Sequence, residues 1–154
     1  MAYCLDEQFQ ENIENPEISI RCLIASEVPM WDKIIEDSFK RSWTAPEDYF
    51  EFIKSDLINE KKRYYAGYYN EQLVSTGCLL IIDDCAYLYN LATVENLRRK
   101  GIAKEMIYKM SEDAKKLGIK YIIGATSNQV AEEMYKAFGA ETCSYIEVYN
   151  FKVK

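Results

Sequence analysis

Arg98-Arg99-Lys100-Gly101-Ile102-Ala103 is the stretch of this 154-residue chain whose residue types and spacing are best suited to chemistry. It lies between a β-rich run ending at Val94 and an amphipathic pattern over residues 102–117, so it is a basic turn that opens a helix. A helix N-terminus presents unpaired backbone N–H groups and about half a positive charge. Gly101 lets backbone approach a ligand where a Cβ would stand in the way. The turn therefore reads as an anion site of the kind that takes a pyrophosphate.

What else can react is limited by what the chain lacks. It has no histidine. A Ser-His-Asp triad, a Cys-His nucleophile pair and histidine-based metal sites are excluded, and proton transfer falls to carboxylates, tyrosine, lysine, cysteine or water. The five cysteines form no Cys-x-x-Cys pair; they read as free thiols in a reducing, cytoplasmic setting, and no metal site is expected. None has a partner to activate it as a nucleophile. The net charge of −6 is concentrated in residues 1–77. No basic face invites nucleic acid, and the longest apolar run, Cys78 to Ile82, is far too short to span a bilayer. The N-terminus carries no secretory signal pattern.

The elements that position the turn follow from hydrophobic period and punctuation. Residues 18–24 alternate as a strand. A helix follows over residues 28–39, with Trp31, Ile34, Ile35 and Phe39 on one face. Thr44-Ala45-Pro46-Glu47 combines a capping box with proline at a first helical position. It opens a second helix through about residue 58, with Tyr49, Phe50, Ile53 and Leu57 inward. Residues 64–69 and 72–82 read as a hairpin around Asn70-Glu71, and residues 85–94 as a third consecutive antiparallel strand. The helix from about Lys100 buries Ile102, Met106, Ile107, Met110 and Leu117, and Gly118 suits its end. Residues 119–126 are a strand which, reached through a helix, lies parallel to 85–94. Asn128 caps a last helix over residues 129–138, ended by Gly139. Residues 141–153 supply one or two final strands. The expectation is one α/β domain over residues 1–154, a mixed sheet in the order β-α-α-β-β-β-α-β-α-β. Residues 1–16 are expected to be a loosely attached arm.

With the motifs on these elements, the chain resembles the GNAT N-acetyltransferase superfamily. Its hallmark, Arg/Gln-x-x-Gly-x-Gly/Ala at a strand-to-helix junction, is matched by Arg98 to Ala103. A second block, Asn with Ala, Tyr and Gly at +3, +7 and +11, is matched by Asn128, Ala131, Tyr135 and Gly139. The resemblance implies acetyl-CoA as acetyl donor and a splayed central pair of parallel strands. It implies that backbone from Arg99 through Lys100, Gly101, Ile102 and Ala103 to Lys104 cradles the pyrophosphate, with Arg98 and the other basic side chains attracting the CoA phosphates. It implies that pantetheine pairs with backbone at Leu91, Ala92, Thr93 and Val94, where an N–H stabilises the developing oxyanion. Asn128 would contact the pantetheine or 3′ arm, and Tyr135 would protonate the departing thiolate.

The acceptor implied is a primary amine of a small molecule or peptide, attacking directly in a ternary complex. Family analogy puts it between the first two helices and the final strands, where Glu36, Asp37, Glu47, Asp48 and Glu51 would favour a cationic amine and Trp31, Trp43, Tyr49 and Phe50 an apolar one. No acid lies within Tyr87–Val94; Asp83, Asp84 and Glu95 flank it, so the general base is left between a side chain and water. The alternative of another class is a non-catalytic acetyl-CoA-binding sensor of the same fold. A dinucleotide binder is disfavoured by the missing Gly-x-Gly-x-x-Gly turn. The family's frequent dimers make a homodimer through the final strands a further expectation.

Overall fold

Alternation along three neighbouring strands builds two cores on opposite faces of one sheet. In the computed structural model, which describes residues 1–5 and 15–145, Tyr65, Leu79 and Leu88 join one buried cluster, while their neighbours Tyr64, Cys78 and Tyr89 join the other. The strands are β1 (Ala2–Cys4), β2 (Ile18–Cys22), β3 (Lys62–Tyr69), β4 (Gln72–Ile82), β5 (Cys85–Thr93) and β6 (Tyr121–Gly124), in spatial order β1-β6-β5-β4-β3-β2. All pairs are antiparallel except β5 and β6. The helices are α1 (Val28–Phe39), α2 (Glu47–Asp56), α3 (Ile102–Lys116) and α4 (Gln129–Ala137).

Helical spacing of apolar residues docks each helix. Val28, Trp31 and Ile35 of α1 close over one face, joined by Ile53 of α2. The Trp31 indole donates to the Tyr65 carbonyl at 2.8 Å, which satisfies its buried N–H. Met106, Ile107, Met110 and Ala114 of α3 fill the other face with Tyr135 of α4. A Cβ on Gly77 would come within 2.9 Å of the Met110 sulfur, so the missing side chain is what lets α3 lie close to β4. None of the helices among the described residues is long and apolar enough to cross a membrane.

The mixed sheet and its parallel pair are as expected from the sequence. Asn70 and Glu71 both take positive φ (47° and 66°), the two-residue turn that suits a right-twisted hairpin. Four details differ. Residues 1–5 are no loose arm: Ala2–Cys4 pair with β6, Ala2 exchanges both backbone hydrogen bonds with Glu141, and Leu5 is fully buried. A short apolar segment beside an open sheet edge gains more by pairing than by staying solvated. Residues 6–14 of that segment lie outside the described residues. The Thr44–Glu47 capping box does not form; Pro46 precedes α2 directly, and no side chain caps that helix. Phe39 and Leu117, expected inward, are about half exposed at helix ends. Of the final strands, Glu141 forms a single bridge to Ala2, and 146–154 lie outside the described residues.

Candidate active site

The splay between β5 and β6 creates the site. The two strands pair only from Cys85↔Tyr121 to Leu88↔Gly124 and then part. Beyond Leu88, the edge of β5 has no strand beside it, and its backbone polar groups border a cavity of about 560 Å³. That is within the range of small-molecule and cofactor sites, roughly 300–1,000 Å³. The cavity wall runs along β5 from Leu88 to Thr93, past Leu97, Arg98 and Arg99 to Gly101–Lys104. It returns through Ala125, Thr126, Asn128 and α4, and Ser38 and Phe39 at the end of α1 complete it.

A bulge shapes the β5 wall. Thr76 pairs with Ala92 but Cys78 pairs with Tyr89, so Asn90 and Leu91 together oppose Gly77. Asn90 takes φ 52°. Two hydroxyls of β4 fix the irregular backbone: Thr76 donates to the Asn90 carbonyl at 2.7 Å and Ser75 to the Ala92 carbonyl at 2.6 Å. Both side chains are buried.

At the far end, the basic turn takes positive φ at Arg99 (63°) and Gly101 (87°), on either side of Lys100. Left-handed residues in a turn can bring successive N–H groups to one side, as in an anion-binding concavity. The Arg98 Nε donates to the Thr93 carbonyl at 3.1 Å, tying the turn to the end of β5. No side chain caps α3, and its first internal bond is from the Glu105 N–H to the Gly101 carbonyl. The N–H groups of Ile102, Ala103 and Lys104 thus lack intrahelical acceptors. A Cβ on Gly101 would meet no protein atom within 4 Å.

Of the residues singled out from the sequence, the cavity brings together Leu91, Ala92, Thr93, Arg98, Arg99, Gly101, Ile102, Ala103, Lys104, Asn128 and Tyr135. The Ile102 side chain is part of the core. Two fall outside. The Val94 N–H is taken by the Val74 carbonyl at 2.9 Å, which carries the β4–β5 pairing to the last residue of the expected strand. Lys100 leans on Tyr69, its ammonium 3.2 Å from the hydroxyl and 4.7 Å from the ring centre. Asn128 is the N-cap of α4, its Oδ1 accepting from the Val130 N–H at 2.9 Å. Tyr135 is nearly buried, and burial, with Tyr87 nearby, pushes its hydroxyl up to about 12.

The acidic residues of the first helices do not reach the cavity: Asp37 pairs with Lys33, Glu51 with Lys54, and Glu36 with Lys33 and Arg41. Trp31 is core; Tyr49 meets Trp43 edge-to-face, with ring centres 5.9 Å apart, and Phe50 at a tilt. Asp83, Asp84 and Glu95 also lie off the wall, and among the described residues no carboxylate lines it. The sequence reading missed Tyr89, Asn90, Phe39 and Met134. Asn90 carried a signal, since asparagine is depleted in strands and tolerates the left-handed region that a bulge uses.

The chain belongs to the Acetyltransferase (GNAT) family, which it matches over residues 28–140. Acetyl-CoA is the acetyl donor of that family. No curated protein matches the chain in sequence. Among solved structures, it is similar to an aminoglycoside acetyltransferase from an uncultured soil metagenomic sample in complex with sisomicin. The TM-score is 0.75 at 15% identity, over 90% of this chain and 97% of that one. It is also similar to a predicted acetyltransferase from Clostridium acetobutylicum with acetyl-CoA (TM-score 0.69, 18% identity, 86% and 96% covered). A third similarity is to the ribosomal-protein-S18-alanine N-acetyltransferase from Escherichia coli (TM-score 0.66, 18% identity, 79% and 76% covered). At these identities the likeness is one of fold.

Proposed function

We propose that this protein is an N-acetyltransferase that moves the acetyl group of acetyl-CoA to a primary amine of a small molecule or peptide, by direct attack in a ternary complex. The observation that carries the reading is the continuous wall from an unpaired strand edge to an uncapped helix start. The β5 edge at Leu91, Ala92 and Thr93 can pair with an amide-bearing arm as an added strand would. The N–H groups of Ile102, Ala103 and Lys104 can hold a diphosphate, and the Arg98, Arg99 and Lys104 side chains add charge attraction. Lys100 acts at one remove, pinning the turn to β3 through Tyr69. Asn128 offers its side-chain N–H₂ to the arm while its Oδ1 caps α4.

Bound there, acetyl-CoA supplies an acetyl group activated as a thioester. An N–H of the bulged β5 edge, fixed in advance by Ser75 and Thr76, stabilises developing charge on the acetyl oxygen. Tyr135 keeps its proton at Oη across the physiological range and presents it to the leaving sulfur. The gap between that hydroxyl and an ordinary thiol, about 8.5, is roughly 3.5 units or ~5 kcal/mol against full transfer. Tyr135 therefore acts by donating a hydrogen bond that shortens as the C–S bond lengthens. Phe39, Val130, Ala131 and Met134 give the cavity an apolar side.

The test is thiol release from acetyl-CoA with a panel of spermidine, kanamycin, tyramine and an alanine-terminal tripeptide. Amine-dependent release supports the reading. Saturable acetyl-CoA binding without release for any amine would leave a binding module instead.

A further inference from the structure

Two buried hydroxyls of β4 hold the stretch of β5 that borders the cavity, and each directs a different backbone N–H. We propose that Thr76 is a positioning residue of the transfer: by holding the Asn90 carbonyl it aims the Leu91 N–H at the acetyl oxygen, while Ser75, holding the Ala92 carbonyl, aims the Thr93 N–H at the arm that carries the thioester. The proposal rests on the N-acetyltransferase reading and names the donor which that reading leaves unassigned.

The direction of each N–H follows from its own peptide. Thr76 donates to the Asn90 carbonyl at 2.7 Å and Ser75 to the Ala92 carbonyl at 2.6 Å, so both carbonyls face β4. In a planar trans peptide the N–H points opposite to the C=O. The Leu91 and Thr93 N–H groups therefore leave β5 on the side away from β4. On that side β6 has parted from the strand, and Leu91, Ala92 and Thr93 line the cavity. The alternation of the strand agrees. The Val94 N–H returns to β4, at the Val74 carbonyl, and the Thr93 carbonyl accepts from the Arg98 Nε at 3.1 Å.

Thr76 and Ser75 are fully buried in a strand whose neighbours Val74, Cys78 and Leu79 are apolar core. A hydroxyl is costly there unless it is hydrogen-bonded, and both hydroxyls serve this one stretch of β5. Asn90 takes φ 52°, a left-handed conformation that persists only where its surroundings hold it. Thr76 bonds that residue directly. Ser75 bonds two residues further on and lies 3.0 Å from the Thr93 hydroxyl. An arm entering from the uncapped start of α3 meets Thr93 before Leu91, because Arg98 ties the turn to Thr93. The two N–H groups are two residues apart, about 6.7 Å along a strand. The amide-bearing part of the arm thus falls to Thr93. The thioester lies deeper, toward the point where β5 and β6 part at Leu88, and falls to Leu91. A misaimed Leu91 N–H weakens stabilisation of the developing oxyanion and leaves ground-state binding intact.

The test uses acetyl-CoA labelled with ¹³C at the acetyl carbonyl, bound to wild type, Thr76→Val, Thr76→Ser and Ser75→Ala. Kd is read by isothermal titration, and kcat with the amine of the panel that turns over fastest. In wild type the carbonyl resonance should move downfield on binding, as a hydrogen bond to its oxygen requires. Thr76→Val should lose that shift and lower kcat roughly ten- to hundredfold at unchanged Kd, less than outright loss of an oxyanion donor, because the N–H remains. Thr76→Ser keeps the hydroxyl and should restore both. Ser75→Ala should keep the carbonyl shift and weaken acetyl-CoA and CoA alike, by roughly two- to tenfold, the share of one neutral hydrogen bond. Wild-type carbonyl shift and kcat in a folded Thr76→Val, with wild type active, would overturn the proposal and leave the enzyme reading standing. Where Thr76→Val fails to fold, ¹⁵N-labelled wild type decides: exchanging acetyl-CoA for CoA should change the amide shift most at Leu91, and a larger change at Thr93 would overturn the assignment. No turnover by wild type with any amine would remove both.

Discussion

Gly101→Ala, with Gly118→Ala as its matched control, separates the proposed phosphate role from backbone strain. Both glycines are left-handed, at φ 87° and 76°, and an added Cβ at either would meet no protein atom within 4 Å. The folding cost is therefore the same at both: about 1–2 kcal/mol for an alanine in that region, or a fall in Tm of roughly 2–8 °C for a chain of this size. Only Gly101 lines the cavity, at the start of α3; Gly118 lies past its other end. A methyl at position 101 holds a phosphate off the N–H groups behind it. Losing one charge-assisted hydrogen bond costs about 1.5–3 kcal/mol, which is roughly a ten- to 150-fold weaker Kd. Isothermal titration with acetyl-CoA and thermal melts by circular dichroism read the two effects independently. Equal Tm losses with binding lost only in Gly101→Ala are expected. Equal binding in both variants would refute the placement of the phosphates at the α3 N-terminus.

Three other perturbations test separate parts. Tyr135→Phe should lower kcat by roughly ten- to 150-fold, the share of one hydrogen bond to a charged group at about 1.5–3 kcal/mol, with acetyl-CoA affinity unchanged; because the hydroxyl is pushed up to about 12, wild-type kcat should show no alkaline break from it below pH 10. Arg41→Ala breaks the buried two-bond pair with Asp32, both bonds 2.7 Å; urea unfolding should show a loss of about 3–5 kcal/mol, the usual cost of stranding a buried charge, and a loss under 1 kcal/mol would contradict that. Tyr64, Tyr65, Tyr68, Tyr89 and Tyr135 are all pushed up, chiefly by burial. The unfolded chain ionises them near pH 10 while the fold does not, so stability is full below pH 10 and is lost as pH rises above it; a Tm unchanged between pH 9 and 11.5 would contradict this.

What was legible in the sequence was whatever a local pattern dictates. Alternation placed β3, β4 and β5, and the Asn-Glu pair placed the hairpin turn. The spacing of Ile102, Met106, Ile107 and Met110 gave α3, and the basic turn with Gly101 gave its ligand end. What was not legible depended on distant partners. β1 forms because β6 offers an open edge more than a hundred residues away, and nothing in Ala2-Tyr3-Cys4 announces that. The ion pairs of Asp37 with Lys33, Glu36 with Arg41 and Glu51 with Lys54 were not legible either, because charge alone does not reveal a partner. The bulge at Asn90 is only hinted at by that residue's type, because it depends on Ser75 and Thr76 of the neighbouring strand, which hold the Ala92 and Asn90 carbonyls. It decides which edge groups of β5 are free.

The central claim, that the β5 edge and the α3 start together hold acetyl-CoA, is most directly tested by titrating acetyl-CoA into ¹⁵N-labelled protein and following backbone amide shifts. The largest shifts are expected at Leu91, Ala92, Thr93, Gly101, Ile102 and Ala103, with little change at Gly118 and along β2. Saturable shifts clustered elsewhere, or none at all with the protein folded, would contradict it.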